Sequence, residues 1–165
     1  MNTIDMTRHQ GGKDVALVEL TDRRIQTYIV RTDLQPYQTE DADGVSFIET
    51  HFDYKPSMDE IKEFVFAVIN DQVKTRILSG FVWSGLPIWL SEENQMNWSQ
   101  AVVPDTFKIG EEADGTPVYH EFATEDEMKA FNEAWRAYIQ RCLQDGWKQK
   151  DGYDFSEYER QLNAL

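Results

Sequence analysis

The 165-residue sequence contains one cysteine, Cys142, and three histidines that lie far apart in the chain. A single cysteine excludes an internal disulfide and a cysteine-based zinc site. His120 begins the stretch HEFAT, and Thr124 stands where the zinc motif H-E-x-x-H requires its second histidine. We therefore predict no metal ligands, and we expect His120 to be a half-buried strand residue with a hydrogen-bond partner.

Basic residues are scarce, since 16 Lys and Arg stand against 30 Asp and Glu and give a net charge of −14. A surface of this charge repels phosphate backbones, so nucleic acid is not expected as a partner, whereas basic proteins are favoured. The acidic residues alternate with basic and apolar ones, which is typical of a solvated surface. An acidic inhibitor that mimics DNA and captures a basic host protein stays open as an alternative.

Long apolar runs are also absent. No stretch approaches the ~20 apolar residues that a membrane-spanning helix needs, so no membrane association is expected. The opening stretch MNTIDMTRHQGGKD lacks the apolar region of a secretory signal. We expect a soluble protein in a reducing cytoplasm.

Motifs for nucleophilic and cofactor chemistry are missing: there is no G-x-S-x-G, no phosphate-binding loop and no dinucleotide fingerprint. Cys142 falls on the apolar stripe of a predicted helix, where a thiol usually serves packing. The pairs Glu92-Glu93 and Glu111-Glu112 fit a helix start and a loop tip, and neither indicates catalysis. We predict a non-enzymatic protein without catalytic residues, cofactor or metal.

The hydrophobic patterns that are present predict an α+β fold of antiparallel hairpins with segregated helices. Residues 1–12 are expected to form a flexible arm. Residues 13–55 form a β-rich segment, in which strands at 15–20, 25–31 and 45–52 are accompanied by a polar loop at 32–44. Residues 56–165 are expected to form a compact α+β domain.

Helix starts are marked by capping residues. Ser57 with Glu60 and Thr124 with Glu127 each match a capping box, and apolar residues at spacings of three and four follow both. These patterns predict long amphipathic helices at about 58–78 and about 125–145, the second ending near Gly146. Shorter helices are predicted from Glu92 to about Val102, with Ser91 as the N-cap, and from Ser156.

Two tight turns predict hairpins in the second half of the chain. With Ser84-Gly85 as one turn, Trp83 pairs with Leu86, and Trp89 shares the opposite face with Val82. With Asp114-Gly115 as the other turn, the predicted pairs are Ile109–His120, Lys108–Glu121 and Phe107–Phe122.

Exposed aromatic side chains are the remaining functional candidates, because large aromatic residues dominate protein interfaces. We interpret Trp83 as a core residue, while Trp89 is either core or interface. The candidate contact residues are Trp89, Val82, Trp98, Tyr119 and Trp147. A carbohydrate- or small-ligand-binding module that uses exposed aromatic residues is a second alternative.

Three stretches carry a resemblance: KTRILSGFVWSGLPIWLSEENQMNW, VPDTFKIGEEADGTPVYHEFATEDEMKAF and AYIQRCLQDGWKQKD. They resemble a domain of unknown function found in phage and prophage tail-fibre and tail-fibre-assembly regions, including those of Bacteroides-type gut bacteria, and the resemblance extends over about residues 56–152. The resemblance implies a virion structural or tail assembly protein that acts through protein–protein contacts, with tail components or further copies of itself as partners. It implies no catalytic residues. The expected location is the cytoplasm of the bacterial host during expression, or the virion tail.

Overall fold

The computed structural model describes residues 5–40 and 43–165. Within them, strands pair antiparallel and four helices follow or separate the hairpins, which confirms the α+β class. The elements are β1 (Arg8–Gly11), β2 (Val18–Asp22), β3 (Thr27–Gln38), β4 (Asp43–Phe52), α1 (Met58–Ser79), β5 (Phe81–Trp83), β6 (Leu86–Ile88), α2 (Glu92–Ser99), β7 (Asp105–Glu111), β8 (Pro117–Phe122), α3 (Glu125–Asp151) and α4 (Ser156–Ala164).

The chain divides into two compact units, and the division falls inside α1 rather than before residue 56, where the sequence suggested a boundary. Unit 1 comprises residues 1–70 and 150–165, and unit 2 comprises residues 71–149. The N-terminal β-rich segment therefore shares its unit with the C-terminal helix.

Unit 1 contains a four-stranded antiparallel sheet in the order β1-β4-β3-β2. The first strand, β1, lies in the segment expected to be a flexible arm, and it pairs with β4 from Arg8 opposite Ile48 to Gly11 opposite Val45. The part of that predicted arm formed by residues 1–4 lies outside the described residues. The prediction failed because RHQG is polar, and its strand conformation comes from pairing rather than from its own apolar pattern.

The predicted loop at 32–44 is wrong as well, because β3 extends to Gln38 and β4 begins at Asp43; residues 41 and 42 are outside the described part. A register shift between Thr32 and Gln35 interrupts the pairing of β3 with β4, and Asp33 there has a positive φ of 54°. The Arg8 guanidinium bonds the Asp33 carboxylate and donates to the Asp33 carbonyl at 2.8 Å. Cross-strand contacts thus hold a polar segment in the sheet.

The interior of unit 1 draws on the sheet, the first part of α1 and α4. Tyr158 of α4 donates from its hydroxyl to the Arg31 carbonyl of β3 at 2.8 Å, and the backbone N–H of Val18 donates to Gln161 Oε1 at 2.8 Å. The Arg31 side chain is buried and forms ion pairs with Glu19 and Glu49. The buried apolar residues are Val18, Tyr28, Ile29, Val30, Phe47, Ile48, Ile61, Phe64, Val65, Val68, Ile69, Tyr158 and Leu162.

Helix α1 confirms its predicted start and length. The backbone N–H and hydroxyl of Ser57 both donate to Glu60 Oε2 at 2.8 Å, and the Glu60 N–H donates to Ser57 Oγ at 3.3 Å, which is the predicted capping box. Its apolar stripe is buried from Ile61 to Val73, so that face is not offered to a partner.

Helices α2 and α3 differ from prediction at their ends. Helix α2 begins after the predicted cap Ser91 but ends at Ser99, where the Ala101 N–H donates to the Trp98 carbonyl and tightens the last turn. Helix α3 passes through Gly146 and ends at Asp151. Gly146 is not a cap: a Cβ on it would lie 2.6 Å from Val73 Cγ2, so the residue provides a close helix contact inside unit 2.

The core of unit 2 lies between the inner faces of two hairpins, α2 and α3. Rings of Trp83, Trp98, Phe122 and Phe131 meet there at centroid distances of 5.0 to 5.8 Å. The buried members of the cluster are Phe81, Ile88, Leu90, Trp98, Ile109, Phe122, Met128, Phe131 and Trp135.

Candidate functional site

The β5–β6 hairpin has the predicted register, with Phe81 opposite Ile88 and Trp83 opposite Leu86. Its turn residues Ser84 and Gly85 both have positive φ, 51° and 78°, as a two-residue primed turn requires. The register separates the two faces: Trp83 packs inward on Phe122, whereas Val82 is 61% exposed and Trp89, just after β6, is 42% exposed.

The β7–β8 hairpin has a different register from the predicted one. Phe107 lies opposite His120 and Lys108 opposite Tyr119, because the turn closes with Glu112 bonded to Thr116 and a register shift follows between Lys108 and Gly110. The predicted inner face is still correct, since the shift keeps its members at least half-buried; they are Phe107, Ile109, Val118, His120 and Phe122. The predicted Lys108–Glu121 pair does not form, and Lys108 instead bonds Glu111.

The two hairpins are joined at Trp89. Its backbone N–H donates to the Ile109 carbonyl at 2.8 Å, and a Cβ on Gly110 would lie only 2.3 Å from the Pro87 carbonyl oxygen. This close backbone approach needs glycine at position 110. It brings Glu111, the last residue of β7, close to Trp89, which follows β6.

The junction forms a shallow depression of about 250 Å³. Trp89 lines it from the first hairpin, and Glu111 and Glu112 line it from the second; the remaining lining residues are Ser79, Pro87, Ile88 and Ala113. We call this feature the Trp89 depression. Sequence reasoning named Trp89 but dismissed Glu111-Glu112 as a loop tip, and the only available signal was the turn that follows them.

The backbone of Trp89 is fixed on both sides. In addition to the bond to Ile109, its carbonyl accepts a hydrogen bond from Asn94 Nδ2 at 2.8 Å. Within residues 5–40 and 43–165, no aromatic ring stacks on its indole and no acceptor bonds its indole N–H. The fold therefore leaves this ring partly exposed on a backbone that is held at both its N–H and its carbonyl.

The charges around the depression are uneven. Lys108 Nζ lies 2.5 Å from Glu111 Oε1, and this hydrogen bond raises the pKa of Lys108, with smaller contributions from Tyr119 and Glu93. Glu112, in contrast, has no hydrogen bond or ion pair on its carboxylate among the described residues. The depression therefore keeps an unneutralised negative charge beside an exposed indole.

The other predicted contact residues do not join this site. Trp98 is only 1% exposed, with its ring 5.0 Å from Phe131 and 6.4 Å from Trp135, so its assignment as an interface residue is wrong. The physical reason is that Trp98 is the one buried residue of α2 and anchors that short helix. Tyr119 is exposed on β8, and Trp147 is 50% exposed on α3.

His120 has the predicted partner. Its Nε2 lies 2.8 Å from Glu127 Oε1, and its ring contacts those of Trp83 and Phe122. Glu127 Oε2 also accepts the Ala123 N–H at 3.1 Å at the start of α3. The bond with His120 and then the bond from Ala123 hold the pKa of Glu127 below its ordinary value of 4.5. This pair links β8 to α3 and is structural.

We expect the Glu127→Gln variant to lose less stability than the parent protein as the pH falls below about 4.5. A lowered folded-state pKa means that ionised Glu127 stabilises the fold above its unfolded pKa, and this contribution disappears as the pH falls through the folded value. Thermal unfolding between pH 6 and pH 3 measures the effect, with Glu121→Gln, an exposed strand carboxylate, as the control. Equal pH slopes for the two variants would contradict the assignment.

A second depression, about 420 Å³, lies between the segment after α2 and α3. Its cations already have partners, since Arg136 bonds Ser99 and lies 4.9 Å from the Trp135 ring, and Lys129 pairs with Glu133. Within residues 5–40 and 43–165, no group of three His, Cys, Asp or Glu could hold a metal ion. No helix in the same part of the chain is both long and apolar enough to span a membrane.

Comparisons of the chain with protein-family models, with curated proteins and with solved structures found no match.

Proposed function

We propose that this chain is a non-enzymatic phage or prophage tail-region protein that acts through protein–protein contacts, and that the outer face of the β5–β6 hairpin is its contact surface. The tail assignment depends on the resemblance of residues 56–152. The choice of surface depends on one observation, the exposure of Trp89 on a backbone that is hydrogen-bonded on both sides.

An exposed tryptophan on a fixed backbone is well suited to binding a protein. Tryptophan is enriched among the few interface residues that supply most of the binding energy, and a backbone that is already held loses little conformational entropy on association. Val82 extends the apolar area on the same face, and its strand neighbour Pro87 lies opposite it. The net charge of −14 favours a partner whose contact surface has apolar residues surrounded by basic ones.

The experiment measures binding of the purified chain to each protein encoded beside its gene, by calorimetry or biolayer interferometry. We expect Trp89→Ala to weaken binding to one of them by about 30-fold or more, which corresponds to about 2 kcal/mol for a central interface tryptophan. Val82→Ala is expected to weaken it by a smaller factor.

The chain offers a matched control for each substitution. Trp147→Ala removes a tryptophan of α3 that is 50% exposed, against 42% for Trp89, and Val102→Ala removes a valine that is 82% exposed in the same unit. Equal losses from Trp89→Ala and Trp147→Ala would contradict the choice of surface. Quenching of tryptophan fluorescence by a glycan panel that Trp89→Ala abolishes, without binding to any neighbouring gene product, would favour the carbohydrate-binding alternative instead.

A further inference from the structure

We propose that the Trp89 depression is a binding site for one cationic side chain, arginine or lysine, supplied by a partner protein. The proposal builds on the proposed function, because it names the chemistry that the contact surface recognises. Three features of the depression carry it: an unoccupied aromatic face, an unpaired carboxylate and a size that suits a single side chain.

The aromatic face is the first feature. Indole is the ring that attracts cations most strongly, and arginine also stacks on it. Unit 2 itself contains such a contact, where the guanidinium carbon of Arg136 lies 4.9 Å from the Trp135 ring centroid. No arginine or lysine occupies the corresponding position over Trp89 among the described residues.

The carboxylates are the second feature. Lys108 already neutralises Glu111, whereas the Glu112 carboxylate on the same wall has no partner. A guanidinium can donate two N–H hydrogen bonds to this carboxylate while its flat face lies against the indole. The indole would then contact the flat face of the guanidinium, and the carboxylate would bond its N–H groups.

The size of the depression is the third feature. Its volume of about 250 Å³ is below the range of about 300–1,000 Å³ that is usual for pockets that hold drug-sized molecules. A single long side chain, presented from a protein surface, fits this volume. The hydrogen bonds of Trp89 and of the β7–β8 turn fix the backbone of both walls before binding.

The test is a titration of the full chain with N-acetyl-arginine-N-methylamide, and separately with the lysine analogue, followed by two-dimensional ¹H–¹⁵N NMR. We expect saturable shifts of the Trp89 indole N–H and of the Glu111 and Glu112 amides, with the Trp147 indole unchanged as an internal control. The citrulline analogue, which has nearly the same shape without the charge, is expected to produce no saturable shift.

Substitutions test whether the cation binds between Trp89 and Glu112. Trp89→Ala is expected to abolish the saturable shifts at Glu112, and Glu112→Gln to weaken arginine binding at least threefold. Glu121→Gln, on the exposed side of β8, is expected to leave binding unchanged. Raising the salt from about 0.05 M to about 0.5 M is expected to weaken binding, because an exposed ion pair is screened.

Equal binding of arginine and citrulline analogues, equal shifts at Trp147, or no saturable shift at all would each overturn the cation site. The two proposals remain separable. Loss of a protein partner in Trp89→Ala without arginine binding would support the contact surface and reject the cation site. Arginine binding at Trp89 with no effect of Trp89→Ala on any protein partner would support the cation site and reject the contact surface.

Discussion

Trp98→Ala is expected to lower the free energy of unfolding of unit 2 by about 3–5 kcal/mol, the usual cost of truncating a fully buried aromatic residue. The Trp98 ring contacts Phe131 and Trp135, and its removal leaves a cavity in the middle of the cluster. Urea unfolding followed by tryptophan fluorescence measures this change. All five tryptophans lie within residues 71–149, so the signal reports on unit 2.

Trp89→Ala is the matched control for this substitution. Its ring is exposed, and the backbone bonds that hold it do not involve the side chain. We expect a change in unfolding free energy within about 0.5 kcal/mol, as is usual for surface positions. Similar destabilisation by both variants would mean that Trp89 belongs to the core, and the proposed contact surface would then be wrong.

Gly110→Ala is expected to destabilise unit 2 by about 1–3 kcal/mol and to separate the two walls of the Trp89 depression. The new Cβ would lie 2.3 Å from the Pro87 carbonyl oxygen, and a backbone atom cannot move aside as a flexible side chain can. The expected structural result is loss of the hydrogen bond between Trp89 and Ile109. Urea unfolding gives the stability change, and amide hydrogen exchange at Trp89 reports on that bond.

The control for Gly110→Ala is Gly12→Ala. A Cβ on Gly12 meets no atom within 4 Å, so this variant is expected to keep the stability of the parent protein. Gly110→Ala could instead have the same unfolding free energy as Gly12→Ala and keep slow amide exchange at Trp89. The junction would then have room for a Cβ at position 110, which would contradict the prediction. If Gly110→Ala folds but no longer binds the arginine probe, the junction and the cation site are linked.

Turn and capping residues correctly predicted the elements whose conformation depends on residues close together in the sequence. The Ser84-Gly85 turn fixed the register of its hairpin, because a two-residue primed turn leaves no freedom in the pairing. Capping residues at Ser57 and Thr124 marked the starts of α1 and α3, since each satisfies backbone donors within a few residues. The separation of Val82 and Trp89 from Trp83 followed from that register alone.

Contacts between distant residues explain the failures. The polar stretch after Thr32 has the composition of a loop, but Arg8 from another strand binds Asp33 and the stretch is part of β3. Gly146 is predicted to end the helix because the sequence does not show that it packs against Val73, which is distant in the chain. The depression that both Trp89 and Glu112 line depends on the β6–β7 junction, which no turn or cap predicts.

Unit 1 is assembled from both ends of the chain, and this has a consequence for synthesis. Its sheet is complete in the growing polypeptide long before Tyr158 and Gln161, which bond Arg31 and Val18, have been translated. Unit 2 is continuous in sequence, so it can fold on emergence, as domains generally do during translation. The contacts of Arg31 and Val18 with α4 can therefore form only after unit 2 has been synthesised.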